Sequence, residues 1–519
     1  MPSSELINGV EVGPTALLPS VLQATLRRIA VSLLPDPTAL PDGTLAQVVG
    51  GTWIAEPPAE APTLLALSAP TASGMTLDWT PGDVSLHTEV WRGGVLLVTL
   101  NPGVATYNAT GLDDNALYSW KVRHRTGDQF SAFSATETAW TLPLNFTGAP
   151  TLTSRTAVQF VVGWTNEDAT AKTQVWVDDG AGGAFTRFST VAAGVAAETI
   201  TGLSGNKQYK VKLKHEGVTS GLASASFSPL LTEYTHPVDI AGAPTSGAQT
   251  ATTLDIAWTN ADATAQTEIH VDDGAGGAFS IFSTEAAAAT TKQITGLTGN
   301  LPYRVKLKHK GAVSTLVSVN FSPTLTQYTL PADIVGAPTS GAQTETTLDV
   351  AWANADATAL TELWVDDGAG GAFALFSTEA AGATTKQITG RTGNLPYKVK
   401  ARHKGVVSAL LSAAYSPDLT QYTRPADIVG APTSPAQGAT TIDIAWVNAD
   451  ATAQTEVWVD DGAGGAFSLF STEAAAATTK QITGLTAATT YKIKVRHKGV
   501  VSTLTSTNYS PDLTQATTA

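Results

Sequence analysis

From residue 62 onward, apolar and polar residues alternate in short runs with a period of two. Ile442, Ile444 and Trp446 alternate with Asp443 and Ala445, and Tyr491, Ile493 and Val495 alternate with Lys492, Lys494 and Arg496. Alternation of this kind marks a strand with one buried face. Turn-forming clusters break the runs at short intervals: D-D-G-A-G-G, T-G-L and H-K-G. Helical periodicity is absent from this part of the chain. Many short strands separated by such turns predict antiparallel β-sandwiches.

The pattern repeats. Tryptophans recur at 79, 164, 258, 352 and 446, the last four spaced by 94 residues, and Tyr118, Tyr209, Tyr303, Tyr397 and Tyr491 run in step with them. The tyrosines sit in related contexts, such as T-G-L-T-G-N-L-P-Y and T-G-R-T-G-N-L-P-Y. A period this long is beyond solenoid units and matches a string of small autonomous domains. The expected division is residues 62–145, 146–239, 240–333, 334–427 and 428–519, after an N-terminal segment of residues 1–61. Short proline-bounded connectors such as Pro331–Thr339 and Pro425–Thr433 join the copies and predict semi-rigid joints. Five such domains end to end would make a rod on the order of 150 Å.

A tryptophan on an early strand followed by G-L-x(5)-Y-x-V-x-V resembles the fibronectin type III domain, in the variant common in bacterial and phage proteins. The resemblance covers roughly residues 62–519. It implies five tandem fibronectin type III-like sandwiches, an all-β fold, in which the T-E-V-W-V-D strand lies beside the tyrosine strand. With Val457 and Val459 inward, parity then turns Glu456, Trp458 and Asp460 outward, on the face that carries Lys492, Lys494 and Arg496. Opposite charges on adjacent strands contribute about 0.2–1 kcal/mol per pair, so these lysines and arginines are expected to zip an outer face. The outward aromatics Trp91, Trp176, Trp364 and Trp458, with His270 in the third copy, are the candidates for weak binding of a host-surface glycan or protein.

Composition narrows the chemistry. The 519 residues hold 30 Lys and Arg against 44 Asp and Glu, a net charge of −14, with no cysteine. Zero cysteine removes disulfides, thiolate metal sites and thiol nucleophiles. The acidic balance argues against nucleic-acid binding, and no apolar run is long enough for membrane insertion. No G-x-S-x-G or H-E-x-x-H is present, and carboxylates recur with the repeat instead of forming one singular pair. The expectation is a non-enzymatic protein without cofactor or metal. The loops Asp178–Gly183, Asp272–Gly277, Asp366–Gly371 and Asp460–Gly465 lack a calcium loop's ligand spacing and are expected to be tight turns. His124, His215, His309, His403 and His497 end the tyrosine strand on the inward side and are expected to pack at the sandwich end.

Residues 1–61 differ. Ser20 and Gln23 form a capping-box pattern, Leu22, Leu26, Ile29 and Leu33 follow at helical spacing, and Pro35 stops the helix. Arg27 and Arg28 interrupt the apolar run, unlike a secretory leader. Residues 45–49 and 52–55 around Gly50-Gly51 predict a hairpin. The segment L-P-D-G-T-L-A-Q-V-V-G-G-T-W-I-A-E-P-P resembles adaptor pieces of phage tail fibres. That resemblance implies a virion fibre, spike or decoration, exposed on the particle. Residues 1–61 would bind other virion structural proteins, and Leu22, Leu26, Ile29, Leu33 and Trp53 would form a homo-oligomeric anchor, a trimer by likeness to fibres. The alternative is a bacterial cell-surface or secreted adhesin-like protein.

Overall fold

The computed structural model describes residues 59–127 and 129–519, together with the backbone of four upstream strands, Glu5–Ile7, Val10–Val12, Leu45–Val49 and Thr52–Glu56. Every element among the described residues is a β-strand, and every pairing is antiparallel. Leu45–Val49 pairs with Thr52–Glu56, Val49 opposite Thr52 and Val48 opposite Trp53, as the predicted hairpin requires. The helix expected over residues 20–33, with Leu22, Leu26, Ile29 and Leu33, lies outside the described residues.

The chain divides into two compact units, Met1–His236 and Pro237–Ala519. The first holds two sandwiches and the second three. The fourth sandwich illustrates the plan. Three strands, Thr339–Gln343, Leu348–Ala351 and Thr385–Ile388, form one sheet, and four form the other in the spatial order Ala374–Glu379, Leu360–Val365, Pro396–Lys404, Leu419–Tyr422. The same three-plus-four order recurs in the second, third and fifth sandwiches. In the first, Gln129–Phe130 and Glu137–Trp140 both pair with Leu117–Thr126. This order sets Leu360–Val365, the strand of Trp364, beside the tyrosine strand Pro396–Lys404, as the fibronectin type III resemblance implies.

Alternation decides what goes inside. In the fourth sandwich Leu348, Val350 and Trp352 from one sheet meet Leu363, Val365, Tyr397 and Val399 from the other, all buried, with Ile334 from the connector closing the end. Equivalent residues build the other cores. The tyrosines bury their rings, and the hydroxyls of Tyr209, Tyr303, Tyr397 and Tyr491 each accept a backbone N–H five residues upstream, at 2.8–2.9 Å. This tyrosine corner fixes where the strand enters the sheet. Without disulfides, each core and its corner carry the sandwich.

Candidate functional site

The outer face of each four-stranded sheet is built on cross-strand register. In the fourth sandwich Glu362 lies opposite Arg402, and Trp364 opposite Lys400. Arg402 Nε donates to Glu362 Oε2 at 2.9 Å, Lys404 Nζ lies 3.3 Å from Oε1, and the Trp364 indole N–H donates to the same carboxylate at 3.3 Å. Burial pushes the Glu362 carboxyl up, but the bonds from Arg402 and Lys404 outweigh it and hold it below the usual carboxylate range. Rings from outside these two strands complete the face. Lys400 Nζ lies 3.9 Å from the centre of Phe373 and 4.2 Å from Tyr415, and Arg402 lies 4.6 Å from Tyr415 and 5.1 Å from Trp364. Tyr415 meets Trp364 edge to face at 5.8 Å. The result is an alternating ladder of rings and cations over a buried carboxylate, and each contact adds attraction between cation and ring face.

The fifth sandwich repeats this ladder with Glu456, Arg496, Trp458 and Tyr509. The first builds it from Glu89, Arg123, Trp91 and Phe133. In the second, Gln174 replaces the glutamate and bonds Glu216, while Trp176 donates to Gln174 Oε1 at 3.0 Å and packs on Phe227. In the third, His270 sits 3.4 Å from Glu268 and edge-on to Phe321. The predicted zipped face is therefore present, with two departures from simple parity. Glu456 is 4% exposed because Arg496, Lys498 and Trp458 cover it. Asp460, expected outward, is 6% exposed and accepts the backbone N–H groups of Gly462 and Lys492 at 3.2 and 2.9 Å. Trp91, Trp176, Trp364 and Trp458 are half-buried, one in each sandwich but the third, and each has a ring against it. Trp53 falls in an upstream strand, and its side chain lies outside the described residues.

The acidic glycine loops are turns. Asp367 Oδ1 accepts the N–H of Ala369 and Gly371 at 2.9 and 3.0 Å, while Gly368 and Gly370 take φ of +78° and +81°. Asp179, Asp273 and Asp461 do the same in their own loops, and these backbone bonds hold all four carboxyls below their ordinary range.

The sandwich-end histidines have a more specific task than packing. His215, His309, His403 and His497 are fully buried, and each Nδ1–H donates to a carbonyl of the connector entering its sandwich: Leu144, Val238, Ala332 and Ala426, at 2.6–2.8 Å. The next connector residue ties down a distant loop of the same sandwich. Asp239 accepts the N–H of Asn320, Asp333 that of Ala414, and Asp427 that of Asn508, each at 2.9 Å. His124 instead meets the Thr88 hydroxyl at 3.2 Å, and burial pushes its pKa down.

Within each unit a second device joins neighbouring sandwiches. Asn115 Nδ2 donates to Thr170 Oγ1 of the next sandwich at 3.0 Å, Asn300 to Thr358 at 2.9 Å, and Asn394 to Thr452 at 2.9 Å. Each threonine hydroxyl in turn donates to an aspartate two residues before it: Asp168, Asp356 or Asp450. The asparagines sit at φ of +47° to +59°, a region Asn tolerates better than most residues. A Cβ on Gly217, Gly405 or Gly499 would lie 2.5–2.8 Å from the preceding sandwich's asparagine Oδ1, so any other residue there would push the amide aside. In the fifth sandwich the matching position is Ala488, still at φ +48° but without an amide. The first joint carries an extra acid, Asp114. Burial raises its pKa, and the neighbouring Asp168 raises it further.

The ring partners Phe373 and Tyr415, the connector clamps and the joint asparagines were not singled out in the sequence. Their signal is there in A-F-x-x-F, Y-S-P and T-G-N recurring at the 94-residue period.

No family model and no curated protein matches the chain. Solved structures do. A two-domain fibronectin type III segment of chicken tenascin is 17% identical, over 34% of this chain and 98% of that one, with a TM-score of 0.26. The FN1–FN3 domains of chicken CNTN1 are 12% identical, over 54% of this chain and 99% of that one, with a TM-score of 0.21. The central fibronectin-III array of RIM-binding protein is 18% identical, over 51% and 96% of the two chains, with a TM-score of 0.17.

Proposed function

We propose that the chain is a non-enzymatic structural protein of a phage virion, a fibre, spike or decoration exposed on the particle. Residues 1–61 hold it to other virion proteins as a homo-oligomer, a trimer by likeness to fibres, and the sandwiches serve as a spacer and weak host-surface binder. The observation that carries the spacer role is the joint. The same amide-to-threonine bond and histidine-to-connector bond recur, so successive sandwiches within a unit are tied in series by side chains. Such ties hold distance; they do not gather groups around a substrate. The outer faces support the same reading, because each candidate tryptophan already has a ring or a cation against it, and surface binding by Trp364 or Trp458 is correspondingly weak. The virion assignment rests on the likeness of residues 40–58 to tail-fibre adaptors. A chain lacking residues 1–61, supplied to assembling particles, is expected to be left out of them. Its incorporation would overturn the anchoring role, and display of the intact protein on bacteria free of particles would favour the adhesin-like alternative.

A further inference from the structure

At each of the three asparagine joints the later sandwich presents a carboxylate. Asp168, Asp356 and Asp450 accept, through Oδ1, both the N–H and the hydroxyl of the threonine two residues on, at 2.6–3.0 Å. Their Oδ2 atoms are buried and receive no hydrogen bond from the described residues. A buried oxygen left so is costly. The joints differ in the residue before the asparagine: Gly299 and Gly393 in the third and fourth sandwiches, Asp114 in the first. Asp114 is half-buried, and its carboxyl lies within hydrogen-bonding reach of the Asp168 carboxyl across the joint. Asp168 itself is 3% exposed. Two carboxyl groups share a hydrogen bond only when one of them carries a proton.

We propose that the first joint is tightened by acid: a protonated Asp114 donates to the Asp168 carboxylate and ties the first sandwich to the second. Ionisation of Asp114 replaces that bond with repulsion and leaves the Asn115–Thr170 tie. The proton belongs on Asp114. Burial works against charge on Asp168, but the two bonds from Thr170 outweigh it and hold that carboxyl below its ordinary range, while burial and Asp168 push Asp114 above it. The added stability is fully present below the open-joint value of about 3.9 and is lost as pH rises through the raised one. Other titratable groups surround the pair. Asp113, in the same turn, sets like charge against Asp114 and accepts the Tyr118 hydroxyl at 3.2 Å. From the second sandwich, Glu167 accepts the Thr147 hydroxyl at 2.8 Å. His215 faces Asp168, its ring nitrogens 2.7 Å from the Leu144 carbonyl and 3.0 Å from Asn166 Oδ1. Charge on His215 favours the Asp168 carboxylate and so leaves the proton with Asp114. The device does not depend on what residues 1–61 bind.

The chain has no cysteine, so spin labels go on Val95→Cys in the first sandwich and Val158→Cys in the second, both exposed. The distribution of label distances in the full-length protein gives the fraction with an open first joint, compared at about pH 7 and about pH 4. In the parent this fraction is expected to fall about tenfold in acid, the scale of one hydrogen bond to a charged group. Asp114→Asn keeps a donor at both pH values and should stay closed in both. Asp114→Gly, which copies Gly299 and Gly393, should show no tenfold change. Asp113, Glu167 and His215 are present in all three proteins, so their titration cannot produce the difference. A parent distribution that ignores pH would overturn the proposal, and so would the same closing in Asp114→Gly. Melting temperatures verify folding. Should Asp114→Gly melt early, Asp114→Asn decides, because opening at neutral pH as far as the parent would also overturn it.

Discussion

The first and fourth sandwiches share one frame and maintain its wet surfaces by different means. In the fourth, the sheet edge is closed by Lys386 on Glu379 at 2.8 Å, and Arg402 with Lys404 converges on Glu362. In the first, Leu100 and Tyr107 cover the edge with apolar surface; Arg123 and Arg125 converge on Glu89 at 2.8 and 3.5 Å in the same way, but Arg123 lies against three rings, Trp91, Phe130 and Phe133, at 3.8–5.0 Å, where Arg402 has two. The core tryptophan and tyrosine corner are common to both, although Tyr118 also donates to the Asp113 side chain. What differs is how the polar outer positions are shielded. The buried face sets the fold, while the outer face sets the response to acid, salt and neighbours.

The largest effect should come from what is shared. Trp79→Ala and Trp352→Ala are each expected to lose about 3–5 kcal/mol, because both indoles are buried between sheets. Denaturant unfolding checks this, and a loss below about 1 kcal/mol in either would break the premise of a common core. Next in size is Glu362→Ala, which strands Arg402 and Lys404 over a closed surface. It should cost about 2–4 kcal/mol, discounted from a fully buried pair because the cations stay partly wet. Glu89→Ala should cost less, since the three rings go on screening Arg123. Equal losses would mean that those rings add nothing.

Acid should weaken the fourth sandwich. For Glu362 and Glu379 burial raises the carboxyl pKa, but bonds from Arg402 and from Lys386 more than offset it, so both titrate below the unfolded value of about 4.3. A depressed native pKa contributes stability above the unfolded value and loses it as pH falls through the native one. Hydrogen exchange in Leu360–Val365 should therefore accelerate more between about pH 5 and pH 3 in the parent than in Glu362→Gln, which has no such carboxylate to lose. Equal acceleration in both would remove the charge explanation. The smallest expected effect is Glu379→Leu, which copies the first sandwich's edge into the fourth. It should change stability by about 0–1 kcal/mol and flatten its salt dependence, read from melting temperatures at low and high salt.

Much of this was legible in the sequence, for definable reasons. Period-two alternation and paired Trp and Tyr markers expose strands and cores directly, because burial acts residue by residue along a strand. Glu456 facing Arg496 also follows from parity once two strands are known to be neighbours. Phe373 and Tyr415 escaped because they reach the ladder from outside the two strands that parity describes, and parity says nothing about where such rings fold back. Asp460 escaped for a related reason: it obeys strand parity but lies at the strand's end, where backbone N–H groups of the turn compete for it. The histidine clamps link residues 71 apart in sequence, a pairing that no local pattern encodes.

The joint bears on how such a chain changes length between generations. In the second unit the third and fourth sandwiches carry the donor asparagine at one end, and the fourth and fifth carry the acceptor threonine and its permissive glycine at the other. Duplicating or deleting the fourth 94-residue period leaves every surviving asparagine facing a threonine, without a compensating mutation. An insertion of any other length would break the match. Recombination between near-identical copies could then lengthen or shorten the array in whole sandwiches, and Ala488 marks the one repeat in that unit that could not serve as an interior piece without first regaining its amide.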